Sequence, residues 1–210
     1  MREQLADISS IFKTTRGKDI IDGGTFIRAR DLFQRFVLRP DVVPAMVPLK
    51  RIVQRIATAL EPFQSDDVNN MFDAVKWLEK NQDLHQMMTL VREGIVSVVE
   101  RAFQEDLQVV ESRVQRTLVE HSLSIVGYNI KERKWHSPTT DHPELSHRMR
   151  QYIQDRAPKK RFAKVYCRLG DLRNDTNHAG FRPNPLRAAE LRDGFDKYYS
   201  ELKRILNSDG

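Results

Sequence analysis

The chain has 210 residues, with 35 Lys+Arg against 29 Asp+Glu, a formal charge of +6 and a pI of about 9.5. That length supports one sizeable core, or one domain with a small appendage, and the basic balance suits a polyanionic partner such as nucleic acid or anionic lipid, or serves solubility alone. A single cysteine, Cys167, excludes an intrachain disulfide and a cysteine-built metal cage. No run of 18 apolar residues is present and residues 1–7 carry acids, so a soluble, unexported, cytoplasmic protein is expected.

In chain order, Leu5, Ile8, Ile11 and Phe12 space out a short helix, followed by a turn-rich stretch from Gly17 to Gly24 holding Ile20 and Ile21. Residues 1–25 read as an N-terminal arm or linker, and 26–210 as one helical domain. Phe26, Leu32, Phe33, Phe36 and Val37 form a helical stripe, and so do Leu49, Ile52, Val53, Ile56 and Leu60; Pro40, Pro44 and Pro48 punctuate the interval. Ser65-Asp66-Asp67 offers a cap and dipole-compensating acids to a helix carrying Met71, Phe72, Val75, Trp77 and Leu78. Leu84, Met87, Met88, Val91, Ile95, Val98, Val99 and Ala102 keep a spacing of three or four, which marks a central core helix; the methionines and Trp77 read as core fillers. The pattern repeats from Leu107 to Val126, with Gly127 and Asn129 as a stop. Residues 127–143 lack periodicity and read as a loop. Helical spacing returns over 145–153, breaks at Pro158, and resumes through Phe162, Val165, Tyr166, Leu169 and Leu172. Asn184-Pro185 looks like the opening of a last helix through Phe195, Tyr198, Leu202 and Leu206. No alternating strand pattern occurs, so the expected class is all-α.

Arg173-Asn174-Asp175-Thr176-Asn177-His178-Ala179-Gly180 sets an arginine and a histidine five positions apart, with an amide after the arginine. The spacing alone carries little information: 23 Arg and 6 His in 210 residues give roughly 0.7 chance matches. A second match exists, Arg116 to His121, inside a regular amphipathic pattern. Five residues along one helix turn two side chains about 140° apart, so that pair cannot converge. The 173–178 copy lies among Asn, Asp, Thr and Gly, just before Arg182-Pro183-Asn184-Pro185, where an irregular backbone is expected. A capped polar helix end is the structural alternative.

Arg-Asn-x-x-x-His is also the motif of HEPN ribonucleases. The run Met71-Phe72-Asp73-Ala74-Val75-Lys76-Trp77-Leu78, continuing through Gln86, Met88, Leu90 and Glu93, resembles the helical half of the CRISPR-associated CARF–HEPN ribonucleases. The likeness is closest to the branch named for an Asp-x-Thr-His-Gly motif and covers roughly residues 40 to 205. Neither that motif nor a βαβ pattern occurs here, so the CARF sensor of cyclic oligoadenylate is expected on a partner or in sequence outside this chain. The resemblance implies a HEPN-type helical bundle, a homodimer with the two motifs face to face, single-stranded RNA as substrate in antiviral defence, and no metal or other cofactor. Arg173 and His178 would be catalytic, with Asn174 orienting its neighbours.

The residue types suit that chemistry. RNA carries its own nucleophile, the 2′-hydroxyl; cleavage needs a group to move protons and a cation to stabilise the phosphorane. Histidine titrates near neutrality, while arginine stays charged and grips phosphate oxygens through paired hydrogen bonds. From Arg156 to Arg168 there are six basic residues and no acid, and Lys160, Lys164 and Arg168 form a stripe that reads as an RNA track or a solvated helix face. His136, His142 and His147 with Cys167 match no usual zinc spacing. Two other readings remain open: a non-catalytic dimerising or nucleic-acid-binding module, and a HEPN toxin held by a partner protein.

Overall fold

The computed structural model describes residues 1–39, 47–80, 83–178, 181 and 183–207. Among the described residues it is all-α, with helices and short 3₁₀ turns and no strand. The chain forms two compact units, Met1–Leu90 and Val91–Gly210. None of the helices is long and apolar enough to cross a membrane among the described residues.

The first unit holds α1 (Arg2–Lys13), α2 (Gly17–Asp22), α3 (Gly24–Val37), α4 (Val47–Leu60) and α5 (Asn70–Glu79), and α6 (Leu84–Ala102) begins in it. Aromatic packing knits it together: Phe12 lies 5.5 Å from Phe26 and 5.6 Å from Trp77, and Phe26 stacks on Phe63 at 4.2 Å. Residues 1–25, read from sequence as an arm or linker, lie within this unit. Ile8, Ile11, Phe12 and Ile20 are buried, and the buried Asn70 side chain ties the segment down. Its amide donates to the carbonyls of Gln64 (2.6 Å) and Ile20 (3.0 Å), and its oxygen accepts from the Gln64 N–H at 2.9 Å. One buried amide thus satisfies backbone groups of the end of α2 and of the segment before α5 that would otherwise be costly to bury.

Boundaries shift where side chains serve turns instead of caps. The helix expected from residue 65 starts at Asn70, because Asp67 accepts the Asn69 N–H at 2.9 Å and forms a turn. Pro48 lies in the first turn of α4, whereas Pro40 and Pro44 fall outside the described residues.

The second unit takes the rest of α6, then α7 (Gln104–Leu107), α8 (Ser112–Tyr128), α9 (Pro143–Asp155), α10 (Arg161–Asn177) and α11 (Ala188–Asn207). The long α10 packs against α8, α9 and α11 through Phe162, Val165, Tyr166, Leu169 and Leu172, all buried. Of the two residues expected to stop the helix, Asn129 does so, as a left-handed cap at φ 56°. Gly127 itself is helical and marks close approach: a Cβ there would lie 2.3 Å from Cys167 Sγ and 2.8 Å from the Ala163 carbonyl oxygen. The last helix begins at Ala188 and not at Asn184-Pro185; Asn184 has φ 57°, and Glu190 reaches back to accept the Arg187 N–H at 2.7 Å.

Candidate functional site

Sequence context suggests an irregular backbone at 173–178. The structure corrects this: α10 stays helical to Asn177, His178 is its C-cap, and the His178 N–H still donates to the Asn174 carbonyl at 3.3 Å. Arg173 and His178 thus diverge on one helix by about 140°, as Arg116 and His121 do on α8. Ala179, Gly180 and Arg182 lie outside the described residues.

Within the motif, Arg173 is half-buried, Asn174 and His178 are exposed, and Asp175 is buried. Asp175 Oδ2 accepts the Leu186 N–H at 3.2 Å, which holds the connector to α11 against the helix end. Thr176 bonds back to the Leu172 carbonyl at 3.0 Å. Arg173 Nε is buried without a hydrogen-bond partner, and no carboxylate pairs with this arginine among the described residues.

The second copy of the spacing is built otherwise. Arg116 donates to Glu93 and to Glu100 (2.7 Å), and Glu120 lies 3.9 Å away. Burial pushes the Glu100 carboxyl above its usual range; the neighbouring Glu93 and Glu120 add to this, against the pull of Arg116. Arg116 is held charged more firmly by its carboxylates, despite burial. His121 stacks obliquely on His136, centroids 4.9 Å apart, and burial, then His136, pushes its imidazole below the usual value.

The basic stripe is present but partly engaged. Lys160, at the N-cap of α10, donates to Asn129 Oδ1 at 2.8 Å; Arg168 pairs with Asp171 at 3.6 Å; Lys164 is exposed. At helical spacing Lys164, Arg168, Asp171 and His178 share one face of about 80°, while Arg173 lies about 180° from Lys164. The stripe therefore leads to His178 and not to Arg173. His136, His142, His147 and Cys167 are not drawn together: His136 meets His121, His147 meets Trp135 and Glu132, and Cys167 is buried with its thiol pushed up to about 12 by that burial.

Sequence spacing misses the approach of α6 to α10 one turn before Arg173. Tyr166, Gly170, Arg173 and Asn177 recur at helical spacing, and the Arg92 guanidinium sits 4.4 Å above the Tyr166 ring. The one available signal is Gly170, a glycine in the interior of a 17-residue helix, where it is unfavourable without a packing reason. Comparison of the chain with protein-family models, with curated proteins and with solved structures returned no match.

Proposed function

We propose that the chain is a metal-independent, HEPN-type endoribonuclease acting on single-stranded RNA in CRISPR-linked antiviral defence, with Arg173 and His178 as its catalytic residues. The carrying observation is the contrast between the two arginines. Arg116 is neutralised by carboxylates, whereas Arg173, near the end of α10 and between one and two turns from an exposed histidine, pairs with no carboxylate among the described residues. A cation without an internal counter-ion is available to a phosphate.

In the reaction the RNA 2′-oxygen bonds to phosphorus as the P–O5′ bond breaks, leaving a 2′,3′-cyclic phosphate and a 5′-hydroxyl. A histidine takes the proton from the 2′-hydroxyl and a histidine returns one to O5′; Arg173 neutralises the phosphorane oxygens, and the exposed Asn174 orients the neighbouring groups. Because the two side chains diverge on one helix, a homodimer that brings a second copy of the segment opposite is part of the reading. Lys160, Lys164 and Arg168 would guide RNA toward His178, and a CARF-bearing or other regulatory protein would be a partner. The non-catalytic reading draws on Asp175, whose bond to the connector gives part of the motif a structural task.

The test is incubation of the chain with single-stranded RNA, with and without EDTA. Cleavage that persists in EDTA and ends in cyclic phosphate is expected; cleavage dependent on added Mg²⁺, or none even with an activating partner, would count against the reading. Light scattering should give twice the mass of one chain.

A further inference from the structure

Arg92, from the second unit's part of α6, approaches α10 at Gly170, one turn before Arg173. Its Nε is also buried with no hydrogen-bond partner among the described residues. Gly170 makes room for it: a Cβ at that position would lie 3.3 Å from Arg92 Nε and 3.5 Å from Cζ. Its guanidinium lies over the Tyr166 ring, and Tyr166 stays a neutral phenol, pushed up to about 12 chiefly by burial. Long helical side chains lean toward the N-terminal turn, which for Arg173 is the turn at Gly170, about 4.5 Å along the axis from its own Cα. The nearby carboxylates, Glu93 and Glu120, are engaged by Arg116. Helix geometry thus directs two arginines toward one stretch of α10, each with a buried Nε that has no partner among the described residues, an arrangement that like-charge repulsion disfavours until an anion enters.

We infer that Arg92 is a second phosphate-binding residue, forming with Arg173 a two-guanidinium clamp across Gly170 that holds a phosphodiester of the bound RNA strand. The inference rests on the proposed function for the identity of the anion; the clamp itself stands on the unpaired donors and the space left by Gly170. A phosphodiester fits because its two non-bridging oxygens accept from two planar donors at once, while the Tyr166 ring keeps the first guanidinium in place.

The test is binding of a fully 2′-O-methylated single-stranded RNA, which lacks the nucleophile, to the full chain at several salt concentrations. Arg92→Gln keeps much of the side-chain length and of the packing on Tyr166 without the charge; it should weaken binding roughly tenfold and lower the salt slope by about 0.7, the share of one neutralised phosphate. Arg92→Lys should recover most of the slope and only part of the affinity, since it restores charge but not the paired donors. Combining Arg92→Gln with Arg173→Ala should cost less than the sum of the two. Thermal melts report folding; if Arg92→Gln fails to fold, Arg92→Lys decides alone, with wild-type affinity overturning the paired-donor clamp. If Arg173→Ala weakens binding and Arg92→Gln binds as wild type, the clamp is wrong while the proposed function stands. If the wild-type chain binds no RNA, both fall.

Discussion

The same five-residue spacing of arginine and histidine occurs on α8 and on α10, with similar backbone geometry and opposite electrostatics. On α8 the arginine is shared among Glu93, Glu100 and Glu120, and the histidine packs against another imidazole. On α10 the arginine has a buried nitrogen with no partner among the described residues, and the histidine is exposed at the helix end. A motif is thus distinguished by what its charges already hold. The α8 pair is committed to contacts inside the protein, and among the described residues the α10 pair has no such commitments.

The largest effect expected from this comparison is on catalysis. His178→Ala should lower RNA cleavage by about 10²–10⁴-fold, the usual contribution of a proton-transfer group, while His121→Ala leaves the rate unchanged. Equal rates for the two variants, measured on one RNA under one set of conditions, would erase the distinction. Arg173→Ala should be as inactive as His178→Ala and also bind RNA less well, because arginine grips phosphate in the ground state as well as in the transition state. Its melting temperature should hardly move, since the variant removes a donor that has no partner among the described residues.

Arg116→Ala should behave in the opposite way. Removing it leaves Glu93, Glu100 and Glu120 facing one another partly out of water, at a cost of about 1–3 kcal/mol; this is less than for a fully buried pair because the group is over a third exposed. The deficit should shrink at mildly acidic pH, where a carboxyl already pushed upward takes up a proton and ceases to repel its neighbours. A urea midpoint equal to that of the wild type at neutral pH would show that the network holds nothing.

Lys160, Lys164 and Arg168 sharpen the comparison more modestly. Their joint replacement by alanine should flatten the salt dependence of RNA binding by about 0.7 for each phosphate no longer neutralised. Because Lys160 and Arg168 already have partners at Asn129 and Asp171, most of the change should come from Lys164. Binding isotherms for Lys164→Ala alone check this, and a slope no different from the wild type would make the stripe a solvated face.

How far the sequence reveals this depends on the kind of information involved. Helix existence is carried by apolar spacing, so α3, α4, α6, α9 and α10 are legible from stripes such as Phe162-Val165-Tyr166-Leu169. Positions that depend on distant partners are not. The placement of residues 17–24 hangs on Asn70, some fifty residues away, and the start of α5 on whether Asp67 serves the helix or a turn. At the site, the motif's residues are visible in one dimension, but the local composition suggests a loop where α10 in fact continues. The two α6 carboxylates that meet Arg116, Glu93 and Glu100, and the approach of Arg92 to Gly170, come from helices brought together only by folding.

The smallest effect concerns pH and separates the two histidines by stability instead of rate. His121 is pushed below the ordinary histidine value of about 6.5, first by burial and then by His136, so the folded chain resists protonating it. Between that value and the lower folded one, the unfolded chain binds more protons, and stability falls as the pH drops through this window; above about 6.5 both states are neutral there and no penalty applies. His121→Ala removes the titrating group. Plotted against pH, its stability should therefore run offset from the wild type above neutrality by the packing the ring supplies, then converge on it as the pH falls from about 6.5 toward 5. Denaturant midpoints for both chains across that range measure the convergence. Parallel curves would mean that the His121–His136 contact carries no proton linkage, and that the α8 copy of the spacing is held by its arginine alone.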